Sequence, residues 1–101
     1  MAKIKKVVWT QSAIREKYDI LDFWELHNKS ASYSIKLNEE IEEAIYFLSI
    51  HSNAGTLMID NVRKFLVREY YIIYELNSED ILILAFWDGR QDPEKLTKRL
   101  E

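Results

Sequence analysis

The chain has 101 residues and a mass of 12.1 kDa, which predicts a single domain over residues 1–101, because typical domains have roughly 100–150 residues. Its 48% of hydrophobic residues, with aromatics at 13% of the chain, suffice for a packed core and exclude a disordered protein. The net charge of −3 argues against broad nucleic-acid binding, and the absence of cysteine excludes disulfides, a thiol nucleophile and a cysteine-ligated zinc.

The first predicted elements are a short strand and a long helix. Val7–Trp9 is an apolar, β-branched run that favours a strand, and Thr10 or Ser12 can cap the helix that follows. Between Ser12 and His27 the apolar residues recur at every third or fourth position, which predicts an amphipathic helix. They are Ala13, Ile14, Tyr18, Ile20, Leu21 and Trp24.

A second helix follows the polar break HNKS, and Ser30 or Ser32 can cap it. Its apolar stripe continues the same period, and its other side is acidic, with Glu39, Glu40, Glu42 and Glu43. The segment HSNAG ends the helix, where Asn53 or Gly55 can adopt the left-handed conformation of a helix carboxyl terminus. Because the break between the helices is short, we expect an antiparallel helical hairpin.

Three consecutive antiparallel strands are predicted from the segments VRKFLV, EYYIIYEL and DILILAFW, with turns at Arg68-Glu69 and at NSED. The last strand is apolar on both faces and should therefore be central. Asp92, Pro93 and Glu94 then suit the cap and first turn of a short helix. The order β-α-α-β-β-β with a carboxyl-terminal helix predicts an α+β two-layer sandwich, with the hairpin packed on a small, largely antiparallel sheet.

Targeting and cofactor signals are absent from the sequence. The amino-terminal segment MAKIKKVVW has no signal-peptide core, and no apolar run approaches the roughly 18 residues of a membrane span. We therefore expect a cytoplasmic protein without a membrane partner. His27 and His51 are the only histidines, and each ends a predicted helix, so we expect no metal site and no cofactor.

The element order and three segments resemble the RelE/ParE superfamily, the toxins of type II toxin–antitoxin systems, which are often described as plasmid stabilization proteins. The segments are REYYIIYEL, DILILAFWDGRQDPEKL and DFWELHNKSASYSIKL. The resemblance implies a prokaryotic toxin that is neutralised by a cognate antitoxin in a hetero-oligomer. RelE-like members cleave mRNA on the ribosome, whereas ParE-like members inhibit DNA gyrase without cutting RNA themselves.

The resemblance places the candidate site at Arg63, Lys64, Arg68 and Arg90, which match basic positions of the nucleases. Arg90 is followed by Gln91 and Asp92, where a nuclease is expected to have a histidine or tyrosine. Arginine is a poor general base, since it does not release its proton at neutral pH, and this leaves Lys64 with Tyr70 or Tyr71 as proton carriers.

The lack of the expected histidine or tyrosine favours the ParE-like function, a toxin that inhibits DNA gyrase. The first alternative is a ribosome-dependent mRNA endonuclease with the four basic residues as its catalytic groups. The second is an interaction domain that kept the fold and lost toxicity. The strand residues among the four could also be solvated charges that discourage edge-to-edge pairing.

The predicted antitoxin-binding residues are Phe23, Trp24 and Tyr46, although each is first a candidate for the core. Adjacent helical positions point about 100° apart, so Phe23 or Trp24 should leave the core and join an exposed apolar patch. The acidic run EEIEE is expected to be a solvated helix face, or alternatively a surface for a basic antitoxin segment.

Overall fold

The computed structural model describes residues 4–27 and 31–101, which form five strands and three helices. In chain order these are β1 (Lys6–Trp9), α1 (Gln11–His27), α2 (Ser32–Ile50), β2 (Thr56–Ile59), β3 (Val62–Val67), β4 (Tyr70–Leu76), β5 (Asp80–Asp88) and α3 (Pro93–Leu100). The helices α1 and α2 form the expected hairpin on one face of the sheet, and the predicted α+β class is confirmed.

The sheet has the strand order β1-β5-β4-β3-β2. The strand β1 is parallel to β5, with Val7 opposite Ile81, and all other neighbours are antiparallel. The strand β5 is therefore an interior strand, as its apolar sequence predicts. Its side chains enter both layers. Ile83 packs under the helical hairpin and Ala85 packs on the opposite face, because a register shift in the pairing with β4 between Ile73 and Tyr74 interrupts the alternation.

The edge strand β2 is an addition to the four strands that the sequence predicts. All four of its residues are exposed, so no alternation of buried and exposed positions marks it as a strand. It pairs with β3 through a tight turn at Asp60-Asn61, in which Asp60 has a φ of 51°. Aspartate tolerates this left-handed conformation better than most residues, which suits it to the turn.

The helix ends agree with the prediction in two of four cases. The Thr10 hydroxyl accepts a hydrogen bond of 3.2 Å from the Ala13 amide and caps α1, and Asp92 caps α3 by accepting from the Glu94 amide at 2.9 Å. The predicted cap of α2 is wrong for Ser32, which lies inside the helix after Ala31, the cap residue, while Ser30 lies outside the described residues.

The predicted left-handed residue at the end of α2 is also wrong. The amide of His51 donates to the Phe47 carbonyl. His51 has a φ of −117°, so the helix ends without a left-handed residue. Neither Asn53 nor Gly55 has a positive φ. Gly55 is instead required by a close approach to Tyr74, which lies in β4.

The main core lies between the helical hairpin and the sheet. Its fully buried side chains include Leu37, Ile41, Leu48, Ile72, Tyr74, Ile81, Ile83 and Phe86. Each aliphatic or aromatic side chain of this size contributes roughly 1.5–3 kcal/mol when it is buried. A smaller cluster on the opposite face joins Ile73, Ala85 and Leu96, and it holds α3 against β5. No helix among the described residues is long and apolar enough to cross a membrane.

Candidate functional site

The two predicted basic residues of β3 point to opposite faces of the sheet, as the alternation of a strand requires. Arg63 donates to the carbonyl oxygens of Gly55 at 2.8 Å and Asn53 at 3.3 Å. It therefore fixes the loop that leads from α2 into β2. Lys64 lies on the other face, where its Nζ is 4.9 Å from the centroid of the Tyr71 ring.

Arg68 lies in the tight turn between β3 and β4, with a φ of 57°. Its Nε and Nη2 donate to the carboxylate of Glu40 in α2 at 2.9 and 2.6 Å, and its guanidinium lies 5.0 Å from the Tyr33 ring centroid. The hydrogen bonds from Arg68 lower the pKa of Glu40, and those same hydrogen bonds raise the pKa of Arg68. Arg68 thus stays protonated, and one edge of its guanidinium is occupied.

Arg90 follows β5 and is held by two acidic residues. Its Nε and Nη2 donate to Asp88 at 3.1 and 3.0 Å, and its Nη1 lies 3.2 Å from Glu69. The hydrogen bonds with Arg90 lower the pKa of Asp88 and raise the pKa of Arg90. The Arg90 side chain is nevertheless 61% exposed, so an oriented guanidinium faces the surroundings.

The structure brings Arg68 and Arg90 to the same end of the sheet. The Gly89 amide donates to the Glu69 carbonyl at 2.7 Å, which joins the β3–β4 turn to the turn after β5. A Cβ atom at position 89 would lie 2.9 Å from that same oxygen, so only glycine permits this approach. The glycine of the DGRQDP segment therefore positions Arg90.

Arg90 lines a groove of about 310 Å³ between α1 and the end of the sheet. We call this groove the sheet-end surface; its lining residues are Asp19, Ile20, Phe23, Tyr70, Asp88, Arg90 and Gln91. No sequence pattern indicates that Phe23 and Arg90, which are far apart in the chain, share one groove. Helix α1 crosses β5 in the direction of that strand, with Thr10 at Ile83 and Glu16 at Phe86, so Phe23 near its end reaches Arg90.

The three predicted antitoxin-binding residues divide between core and surface. Trp24 packs against the core, and its Nε1 donates to the Tyr70 hydroxyl at 2.6 Å. Phe23 is 47% exposed, so one of the adjacent pair leaves the core, as helix geometry predicts. Tyr46 in α2 is 67% exposed.

Burial raises the pKa of Tyr70, the hydroxyl that accepts from Trp24, so Tyr70 stays neutral.

Lys64 lines a second cavity, on the sheet face that α3 partly covers, and this cavity adjoins the sheet-end surface at Gln91. Tyr71, and not Tyr70, is the tyrosine beside it. Trp87 also lines this cavity, and the sequence did not predict it there. Its place follows from the strand register, which puts Trp87 opposite Tyr71. The four basic residues therefore form no single cluster. No group of three or more histidine, aspartate or glutamate side chains in residues 4–27 and 31–101 is placed to hold a metal ion.

Comparison with known proteins agrees with this architecture. Residues 7–93 match the family described as ParE toxin of type II toxin-antitoxin system, parDE. The fold is similar to a chain of the chromosomal ParDE TA system from P. aeruginosa, with a TM-score of 0.72 and 17% identity over 86% of this chain and 98% of that one. Comparison with curated protein sequences finds no significant match. Because the family match spans most of its length, the chain belongs to the ParE toxin family of type II toxin–antitoxin systems.

Proposed function

We propose that the protein acts in the cytoplasm as a toxin that binds and inhibits DNA gyrase, and that a cognate antitoxin neutralises it. Membership of the ParE family supports the first part of this proposal. The observation that carries it is the separation of the basic residues: Arg68 and Arg90 are paired with carboxylates at one end of the sheet. Lys64 lines a different cavity, on the sheet face that α3 partly covers.

This separation disfavours the nuclease alternative on chemical grounds. Cleavage through a 2′-hydroxyl needs a general base, stabilisation of the phosphorane and an acid for the leaving oxygen, all close to one phosphate. Lys64 and Tyr71 are the proton carriers of the predicted set that lie together, whereas Arg68 and Arg90 are directed to carboxylates elsewhere. The sheet-end surface instead offers a groove with mixed apolar and charged walls, with Arg90 as its oriented donor.

Purified protein is expected to block DNA supercoiling by gyrase, and Arg90→Ala is expected to raise the concentration needed by about tenfold, as for an arginine that anchors an interface. Lys36→Ala is the matched control, because Lys36 is an exposed cation on α2 outside the sheet-end surface. The measurement is the supercoiling of relaxed plasmid against protein concentration.

Two outcomes of parallel assays would contradict the proposal. Ribosome-dependent cleavage of mRNA in a translation extract, with normal supercoiling, would establish the endonuclease alternative. Normal supercoiling, intact mRNA and unimpaired growth on induction would establish an interaction domain without toxicity.

The exposed aromatic residues of the hairpin are the proposed contacts for the antitoxin. Phe23 lies near the end of α1 and Tyr46 lies in the second half of the antiparallel α2, which places them roughly 15 Å apart along the hairpin at 1.5 Å per residue. A segment that contacts both must therefore run along the helices. Since Phe23 also lines the sheet-end surface, an antitoxin bound there would cover Arg90.

Phe23→Asp is expected to weaken binding of the antitoxin by at least about tenfold, because a charge would replace an exposed ring at the interface. Ile14→Asp serves as a control, since Ile14 is an exposed apolar residue near the other end of α1. The affinity for the antitoxin, expected to be the product of the gene beside that of the toxin, would be measured by calorimetry. Undiminished affinity of the Phe23 variant would remove this residue from the interface.

A further inference from the structure

The guanidinium of Arg90 in the sheet-end surface is only partly used by its own chain. Asp88 accepts from Nε at 3.1 Å and from Nη2 at 3.0 Å, and Glu69 lies 3.2 Å from Nη1. Each terminal nitrogen of a guanidinium carries a pair of N–H donors, and each of these contacts occupies one of them. Nη1 and Nη2 therefore both keep a free donor, on a side chain that is 61% exposed.

The two carboxylates hold this guanidinium in different ways. Asp88 also accepts from the Arg90 amide at 2.9 Å, so it shapes the turn as well as the side chain. Glu69 comes from the β3–β4 turn and reaches Arg90 through its carboxylate. Its carbonyl oxygen accepts from the Gly89 amide at 2.7 Å, and loss of the side chain would leave that bond in place. The Glu69 side chain thus acts on Arg90 without shaping the backbone.

Charge decides which acceptor suits the free donors of Arg90. One guanidinium stands against the two carboxylates of Asp88 and Glu69, so negative charge is in excess, and Asp19 adds another carboxylate to the groove. A phosphate or carboxylate of a partner would increase this excess at a surface that binding removes from water, which is costly. A backbone carbonyl oxygen accepts hydrogen bonds without adding charge.

We propose that Glu69, together with Asp88, is a positioning residue that holds Arg90 with its free donors directed at backbone carbonyl oxygens of DNA gyrase. The inference rests on the proposed function, since gyrase is the partner. It assigns the Arg90 contact to the protein and not to the DNA of the gyrase complex, because DNA would offer phosphates. A side chain that is already fixed in its bound geometry loses less conformational freedom on binding, which raises the affinity.

Binding of the purified protein to gyrase without DNA, measured by calorimetry, tests the inference. Glu69→Ala should raise the Kd about three- to fivefold, less than the change of about tenfold for Arg90→Ala, because Asp88 remains. The double variant should match Arg90→Ala within about twofold, since a positioning residue acts only through the side chain it holds. Glu39→Ala removes an exposed carboxylate of α2 outside the sheet-end surface and should leave the Kd within about twofold.

Two further measurements separate positioning from a structural effect and from a charge effect. In ¹⁵N spectra of the protein without gyrase, the two Nη signals of Arg90 should exchange faster in Glu69→Ala than in the original protein or in Glu39→Ala. The factor by which Arg90→Ala raises the Kd should stay constant within about twofold between about 50 and 200 mM salt, because salt screens a hydrogen bond to a neutral acceptor less than an ion pair.

Four outcomes would overturn the inference while gyrase binding itself remains. They are an unchanged or lowered Kd in Glu69→Ala, an effect of Glu69→Ala that persists in the Arg90→Ala background, unchanged exchange of the Nη signals, and a steep salt dependence of the Arg90 effect. A lowered Kd would mean that Glu69 only weakens the attraction of Arg90 for an anionic group. Absence of gyrase binding by the original protein would overturn the proposed function, and this inference with it.

Discussion

Replacing Tyr74 with phenylalanine is expected to lower the free energy of unfolding by about 2–3 kcal/mol. The Tyr74 side chain is fully buried in β4, and its hydroxyl connects two backbone groups of the loop between α2 and β2. It accepts from the Gly55 amide at 2.9 Å and donates to the Ser52 carbonyl at 2.8 Å. Phenylalanine fills the same space but leaves both groups without their partner, and each unsatisfied buried group costs about 1–3 kcal/mol.

Urea denaturation monitored by circular dichroism measures this effect. Tyr46→Phe is the matched control, because it removes the same hydroxyl from a side chain that is 67% exposed, and it should change the free energy of unfolding by less than about 0.5 kcal/mol. An equal, small effect of the two substitutions would mean that water replaces the Tyr74 hydroxyl and that the loop does not depend on it.

Gly55→Ala is expected to destabilise the protein by about 2–3 kcal/mol. Gly55 has no positive φ, so backbone freedom alone would make alanine stabilising by about 0.4–1 kcal/mol. The added Cβ, however, would lie 2.5 Å from the Tyr74 hydroxyl and 2.9 Å from the Lys64 carbonyl oxygen. The tyrosine is buried and the carbonyl belongs to the sheet, so neither moves easily, and the steric cost exceeds the entropic gain.

The double variant with Tyr74→Phe distinguishes this cause from a general defect of the loop. Removing the hydroxyl relieves the shortest contact of the new Cβ, so the two changes together should destabilise less than the sum of the single changes. Asn53→Ala, in the same loop and exposed, should stay within about 0.5 kcal/mol of the original protein. A stabilising Gly55→Ala would refute the steric explanation.

The elements that the sequence predicted correctly are those whose burial repeats with a clear period. In α2, Leu37, Ile41 and Leu48 are fully buried at helical spacing, and β5 is apolar on both faces because it lies inside the sheet. The strand β2 escaped prediction because its residues are all exposed and only pairing with β3 makes them a strand. The prediction for the cap of α2 failed for another reason: a serine near the start of a helix need not be the residue that caps it.

The candidate site was predictable in its residue types but not in its arrangement. The exposure of Phe23 follows from the spacing of a helix, and the resemblance drew attention to Arg90. No sequence pattern, however, indicates that Arg90 is paired with Asp88 and Glu69, or that Phe23 lies in its groove. The alternation of β3 by itself predicts that Arg63 and Lys64 lie on opposite faces. It does not predict their partners, which are the Gly55 carbonyl for Arg63 and the Tyr71 ring for Lys64.

By itself, the sequence determined the fold class, the helical hairpin and membership of a toxin family, because periodicity and local turn chemistry act over a few residues. The DGRQDP segment likewise encodes the end of β5 and the cap of α3. Only the tertiary structure decided which residues meet: Gly55 with Tyr74, Phe23 with Arg90, and Lys64 with the aromatic pair Tyr71 and Trp87. These contacts join residues distant in the chain, and strand order and layer packing, which are properties of the whole molecule, set them.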